Sequence, residues 1–194
     1  MKKYNVIYAD PPWSYKNNRT GGNMKSGVTS KYNTMSIEDI KNLPIRSISE
    51  NNAVLFLWAT VPLLPEALSV MSAWGFKYKT MLTWRKVMSM GMGFWFREQC
   101  EHLIVGTRGG VKAFRMQKAN FYQCRAGKHS QKPHYFRELI TQATAKSFDT
   151  PCKIELFARE REGLFPYYEY EGWDVWGNEI KSDINLSNYL EISD

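Results

Sequence analysis

Apolar strand-like runs that alternate with helical patterns predict an α/β fold: a Rossmann-like, doubly wound, mostly parallel sheet. Three observations carry that expectation. Residues 53–59 (AVLFLWA) and 102–106 (HLIVG) are unbroken apolar runs, the mark of strands covered on both faces. Leu64, Ala67, Leu68 and Met71, and later Phe136, Leu139, Ile140 and Ala143, recur at helical spacing. The 194 residues suit one domain with a sizeable core.

The elements follow in order. Residues 4–9 are β-formers, stopped by Asp10-Pro11-Pro12, where two prolines end ladder pairing. Residues 14–30 are mostly polar and small, and read as a mobile loop. Ser36 with Asp39 three residues on resembles a capping box, so a short helix is expected to about Leu43, before Pro44. Gly75 is placed to stop the helix through Met71, and residues 78–84 form a further strand. Residues 85–100, rich in Met, Gly, Trp and Phe, make a second loop. Gly109-Gly110 ends the strand at 102–106, and residues 114–132 read as irregular and basic. Pro133 suits a helix start. Residues 153–158 (KIELFA) are the last clear strand. The domain is expected over 1–180, with 181–194 a loose polar tail.

Composition narrows the function. Lys plus Arg is 26 against 19 for Asp plus Glu, a net charge of +7 that favours a polyanionic partner. Aromatics are 14%, with seven Trp, and flat rings beside positive charge suit unstacked bases as well as cores. Three separated cysteines without a CxxC pair support neither a disulfide framework nor zinc, and three scattered histidines add no metal site. No metal is expected, and the setting read from the cysteines is a reducing cytoplasm. The N-terminus lacks the apolar stretch of a signal peptide, and the apolar run 53–68 is broken by Pro62 and Pro65, so no membrane segment is expected.

In open α/β sheets, ligands sit beyond the carboxyl ends of the strands. Asp10, Trp58, Arg85, Arg108 and Arg159 are expected at or just past such ends, and the two long loops leave from the same edge. The first corner is the most suggestive. Asp10 puts a carboxylate at a strand tip, Pro12 restricts Pro11 to extended backbone, and neither proline carries an N–H. Their carbonyls are therefore expected to face outward without a competing local donor. Asp10 and a proline carbonyl would each accept one hydrogen of an exocyclic amine, and Trp13 would pack on the ring bearing it. A plain strand-ending turn, with Trp13 in the core, is the alternative the motif alone leaves open.

Tyr8-Ala9-Asp10-Pro11-Pro12-Trp13 resembles the signature of adenine-N6 methyltransferases related to the seventy-kilodalton catalytic subunit of the mRNA adenosine methyltransferase, a superfamily that includes bacterial and phage DNA enzymes. The likeness continues through Tyr32-Asn33-Thr34-Met35-Ser36, Phe56-Leu57-Trp58, Trp74-Gly75-Phe76, the Glu101-to-Gly109 strand, Ser130-x-Lys132-Pro133, 153–159 and 173–178. It implies methyl transfer from S-adenosylmethionine to N6 of adenine. Asp10, Pro11, Pro12 and Trp13 would form the catalytic corner. Asp10, Glu155, Arg159, Arg161, Trp176 and Asn178 would line the donor site. Tyr32 would line the target-base pocket, and Arg97, Gln99 and Glu101 would lie in the second loop, bordering donor and substrate. No GxGxxG donor loop appears, and the order, corner first and donor strand last, fits the permuted arrangement that the resemblance implies. Arg161 and Glu162 stand where relatives have His and Asn.

The expected substrate is DNA, with RNA as the alternative and a catalytically inactive nucleic-acid-binding subunit as another. A homodimer or heterodimer is allowed, and no membrane partner is expected. The basic stretch 108–132, with Phe114, Phe121 and Tyr122 among its cations, would contact the phosphate backbone.

Overall fold

The computed structural model describes residues 1–14, 34–88, 91, 95–127, 131–160 and 170–190. Its elements run β1 (Tyr4–Ala9), α1 (Ile37–Lys41), α2 (Ile45–Ile48), β2 (Ser49–Thr60), α3 (Leu64–Ala73), β3 (Lys77–Val87), β4 (Cys100–Arg108), β5 (Phe121–Arg125), α4 (His134–Thr144), β6 (Lys153–Leu156) and β7 (Asp174–Trp176). One seven-stranded sheet has the order β5-β3-β4-β2-β1-β6-β7. Pairings β1–β2, β1–β6, β6–β7 and β3–β5 are parallel, whereas β4 runs antiparallel to both β2 and β3. The expected mostly parallel Rossmann-like sheet is found, with one reversed strand.

The sequence explains each element locally. Ser36 Oγ accepts the Asp39 N–H at 3.1 Å, as a capping residue should, but α1 stops at Lys41 and a separate short α2 follows Pro44. Gly75 ends α3 with φ +83°, a conformation most side chains resist. On α3 the buried set is Ala67, Val70 and Met71, and Leu68 turns outward, so the expected apolar stripe is shifted by part of a turn. On α4 the expected stripe of Phe136, Leu139, Ile140 and Ala143 is buried as a unit.

Each sheet face carries its own core. The first packs Ile7, Leu55, Leu57 and Ile104 against α1–α3, around Trp74, whose indole N–H donates to the Ile40 carbonyl at 2.9 Å. The second packs Tyr8, Phe56, Trp58 and Trp84 under α4. Two stretches depart from expectation. Residues 114–132 contain the edge strand β5, where Phe114 stacks on Phe56 and Tyr122 on Tyr135, so these rings face the protein's own interior. In the stretch read as a loose tail, a 3₁₀ turn (Leu186–Tyr189) buries Leu186 and Tyr189, and the Tyr189 hydroxyl donates to the Lys2 carbonyl at 2.8 Å.

Candidate active site

The reversed strand decides which residues share the functional edge. Because β4 is antiparallel, its first residues lie beside the last of β2 and β3: Glu101 is opposite Thr60 and Trp84. Arg108 lies beside Ala53 at the opposite edge and donates to the Arg46 carbonyl, which overturns the expectation that it joins the site. The carboxyl ends of β1, β3 and β6 remain at the shared edge, and Asp10 follows β1 directly. Trp58 lies two residues inside β2, buried, with its indole N–H on the Tyr8 hydroxyl at 2.7 Å.

The proline corner is fixed from three directions. The Pro11 carbonyl accepts the Trp13 N–H at 2.9 Å, and the Pro12 carbonyl accepts the Met35 N–H at 2.9 Å. Local donors therefore do compete for these carbonyls, contrary to expectation, and a ligand amine would meet a second lone pair. Trp13 lies in the first core and donates its indole N–H to the Trp58 carbonyl at 3.1 Å. Its ring is a rivet holding the corner to β2.

Asp10 heads a chain of alternating charges. Lys132, just before α4, contacts Asp10 Oδ2 at 2.8 Å and Glu101 Oε2 at 3.2 Å, and Lys86 of β3 pairs with Glu101 Oε1. The Lys132 ammonium also lies over the Trp58 ring, 5.4 Å from its centroid. The Lys132 and Glu101 side chains are only 11% and 7% exposed, against 37% for Asp10. Burial pushes the Asp10 carboxyl up; Lys132 opposes this, and the net shift is upward. Burial also acts upward on Glu101, but Lys132 and Lys86 outweigh it and hold that carboxyl below its ordinary value. For Lys132, burial acts downward and the two carboxylates win, so the ammonium is held above its ordinary value.

Beside the corner lies an open cleft lined by Pro12, Phe157, Ala158, Arg159, Asn178 and Glu179. Phe157 has φ +61°, a left-handed backbone that costs about 1–2 kcal/mol and turns the chain sharply out of β6. Gly177 is required opposite it, since a Cβ there would meet the Ala158 carbonyl oxygen at 2.1 Å. The Ala158 N–H donates to the Trp176 carbonyl at 3.0 Å, and Arg159 and Glu179 form a bridge, so the two cleft walls are stitched together.

The family described as MT-A70 matches residues 4–179. The chain belongs to the MT-A70 family. It is 32% identical over 201 residues to the Type II methyltransferase M.MunI of Mycoplasma sp, covering 92% of this chain and 78% of that protein. It is 23% identical over 188 residues to the human N(6)-adenosine-methyltransferase catalytic subunit METTL3, covering 93% of this chain but 29% of that protein. It is also 28% identical over 119 residues to the N6-adenosine-methyltransferase non-catalytic subunit MTB of Arabidopsis thaliana, covering 57% of this chain and 15% of that protein. The expected enzyme class, an adenine-N6 methyltransferase, agrees with this membership.

In this MT-A70 domain the expected site residues divide. Asp10, Pro12, Arg159 and Asn178 come together around corner and cleft. Pro11 is buried behind them, and Trp176 packs edge-to-face on Phe157 with centroids 5.4 Å apart. Glu155 faces α4, where Arg137 binds its carboxylate at 2.5 Å. Arg97 is exposed, and Gln99 uses its carbonyl to accept the Lys86 N–H at 2.7 Å. Tyr32, Arg161 and Ser130 lie outside the described residues. Lys132, expected in the basic stretch and at the entry to α4, is the side chain that meets Asp10, a contact that its place in the sequence did not signal. Among the described residues, no group of His, Cys, Asp and Glu is arranged to hold a metal ion, and no helix is long and apolar enough to cross a membrane.

Proposed function

We propose that this domain transfers a methyl group from S-adenosylmethionine to N6 of adenine in DNA. The observation carrying this reading is the Asp10 carboxylate, held at a strand tip by Lys132 on a corner riveted at Trp13 and Met35, beside an open cleft. S-adenosylmethionine would supply an electrophilic methyl group.

The cleft residues have suitable chemistry for that donor. Arg159 offers a cation for a carboxylate, Asn178 an amide for an adenine edge, and Glu179 a carboxylate for ribose hydroxyls. Asp10 would accept one hydrogen of the target amine, and the rigid Pro11-Pro12 backbone would fix the angle of approach. Positioning of this kind supplies a large part of a transfer barrier, on the order of 7–11 kcal/mol in well-oriented systems. Trp13 acts here through the corner it anchors.

DNA is favoured by the resemblance to M.MunI, which is named a Type II methyltransferase and matches over most of its length. RNA is the second reading, supported by the relatives named N(6)-adenosine-methyltransferases. Trp95 and Phe96 are 92% and 88% exposed next to Arg97, and rings so placed suit unpaired bases of either polymer. In duplex DNA the target base must leave the stack, at a cost of roughly a few kcal/mol. Relatives named as subunits make a dimer, with itself or with a homologue, part of the same proposal.

The test supplies labelled methyl donor with single-stranded DNA, duplex DNA and RNA of matched sequence, and reads products by mass spectrometry. N6-methyladenine in DNA is the expected product. Label in RNA alone would move the assignment to the second reading. Donor bound by calorimetry with no product on any polymer would leave an inactive subunit.

A further inference from the structure

The charge chain behind Asp10 is more elaborate than a stable corner requires. Its members come from four separate parts of the chain: β1, β3, β4 and the entry to α4. Two carboxylates and two ammonium groups make it formally neutral. It is also mostly withdrawn from solvent, where unpaired charge is costly. The Asp10 end is the most exposed member.

Lys132 uses only Oδ2 of Asp10. Among the described residues, Oδ1 receives no hydrogen bond. We propose that Lys132, braced by Glu101 and Lys86, is a positioning residue that pins one oxygen of Asp10 and so presents the other to the target amine. This rests on the proposed role of Asp10 as amine acceptor, and extends it to the groups that make Asp10 fit for it.

A protonated carboxyl would present an O–H and lose half its acceptor capacity. Asp10 is partly withdrawn from water and lies near a second carboxylate, Glu101, and both conditions favour protonation. The ammonium of Lys132 acts in the opposite sense and also fixes the carboxylate rotamer. Glu101 holds Lys132 from the far side, so that the ammonium bridges two anions. Lys86 balances the remaining charge on Glu101, and Trp58 supplies a ring face beneath Lys132. The charged and titratable groups facing Asp10 are thus Tyr8 from β1, Glu101 from β4, Arg159 after β6, and Lys132.

The sign of the pH effect follows. Removing the Lys132 charge raises the Asp10 pKa further, so activity requiring an ionised Asp10 is lost at higher pH than in the parent. Lys132→Met and Lys132→Arg are compared with the parent chain in two ways. The first is kcat against pH with the best nucleic-acid substrate. The second is a carbonyl-carbon NMR titration of Asp10, which needs no activity. The expected result is an acid limb and an Asp10 midpoint both displaced upward in Lys132→Met and returned toward the parent in Lys132→Arg. If Lys132→Met does not fold, Lys132→Gln gives the same NMR readout. An unchanged Asp10 midpoint in the uncharged variant overturns the proposal, however far the rate falls. Failure of the parent chain to methylate any nucleic acid would instead overturn the assignment of function, and the titration would still be read independently.

Discussion

The two faces of the sheet are built differently. Under α1–α3, among the described residues, the core of Ile40, Ile45, Ile48, Leu55, Trp74 and their neighbours holds no ion pair between buried side chains, and the one shielded charged atom is a carboxylate oxygen of Glu66 on α3. Under α4 the core is equally aromatic but admits Arg137 against Glu155, and Lys132 against Asp10 and Glu101. Buried ion pairs seldom stabilise more than apolar groups of the same volume. Among the described residues these buried pairs lie on the α4 face, which meets the proline corner at Asp10, while Trp13 anchors the same corner from the other face. The α3 face holds the sheet together; the α4 face holds it together and also sets the electrostatics of Asp10.

The sharpest way to break that contrast is Arg137→Met. Arg137 is 3% exposed, and its loss removes a close guanidinium from the buried Glu155 carboxylate. Unfolding by urea should show a loss of about 3–5 kcal/mol, while the double variant Arg137→Met with Glu155→Leu recovers most of it. A single variant within about 1 kcal/mol of the parent would remove the distinction between the faces. A smaller effect is expected from Tyr8→Phe, which deprives the buried Trp58 indole N–H of its acceptor. Its expected cost is about 1–3 kcal/mol in the same assay. A cost near zero would mean that the polar contacts under α4 are incidental to stability.

The contrast also separates what sequence patterns reveal from what they do not. The apolar runs of β2 and β4, the stripe on α4, the Ser36 cap and the Gly75 stop were all legible, because each is a local pattern with one dominant cause. Strand direction is not local. HLIVG reads the same whichever way β4 runs, so Arg108 was expected on the wrong edge, and Glu101 was expected at the site through its loop rather than as the start of a reversed strand. β5 was missed because an edge strand reading Phe-Tyr-Gln-Cys-Arg lacks a continuous apolar signature. That Arg159 and Asn178 share a cleft with Pro12, next to Asp10, was legible through the resemblance. The Glu155–Arg137 pair was not, since it joins β6 to a helix on the sheet's other side. Lys132 meets Asp10 across 122 positions of sequence, a pairing that no spacing rule encodes.

The central claim is that Asp10 receives the amine as an ionised acceptor on a corner that does not move. Asp10→Asn tests it most directly, because it keeps the shape and replaces an acceptor oxygen by a donor NH2. Initial rates of methyl transfer to an adenine-containing oligonucleotide, with the melting temperature measured alongside, should show kcat lowered by roughly 100-fold or more in a chain that still folds. An Asp10→Asn enzyme turning over at the parent rate would contradict the account.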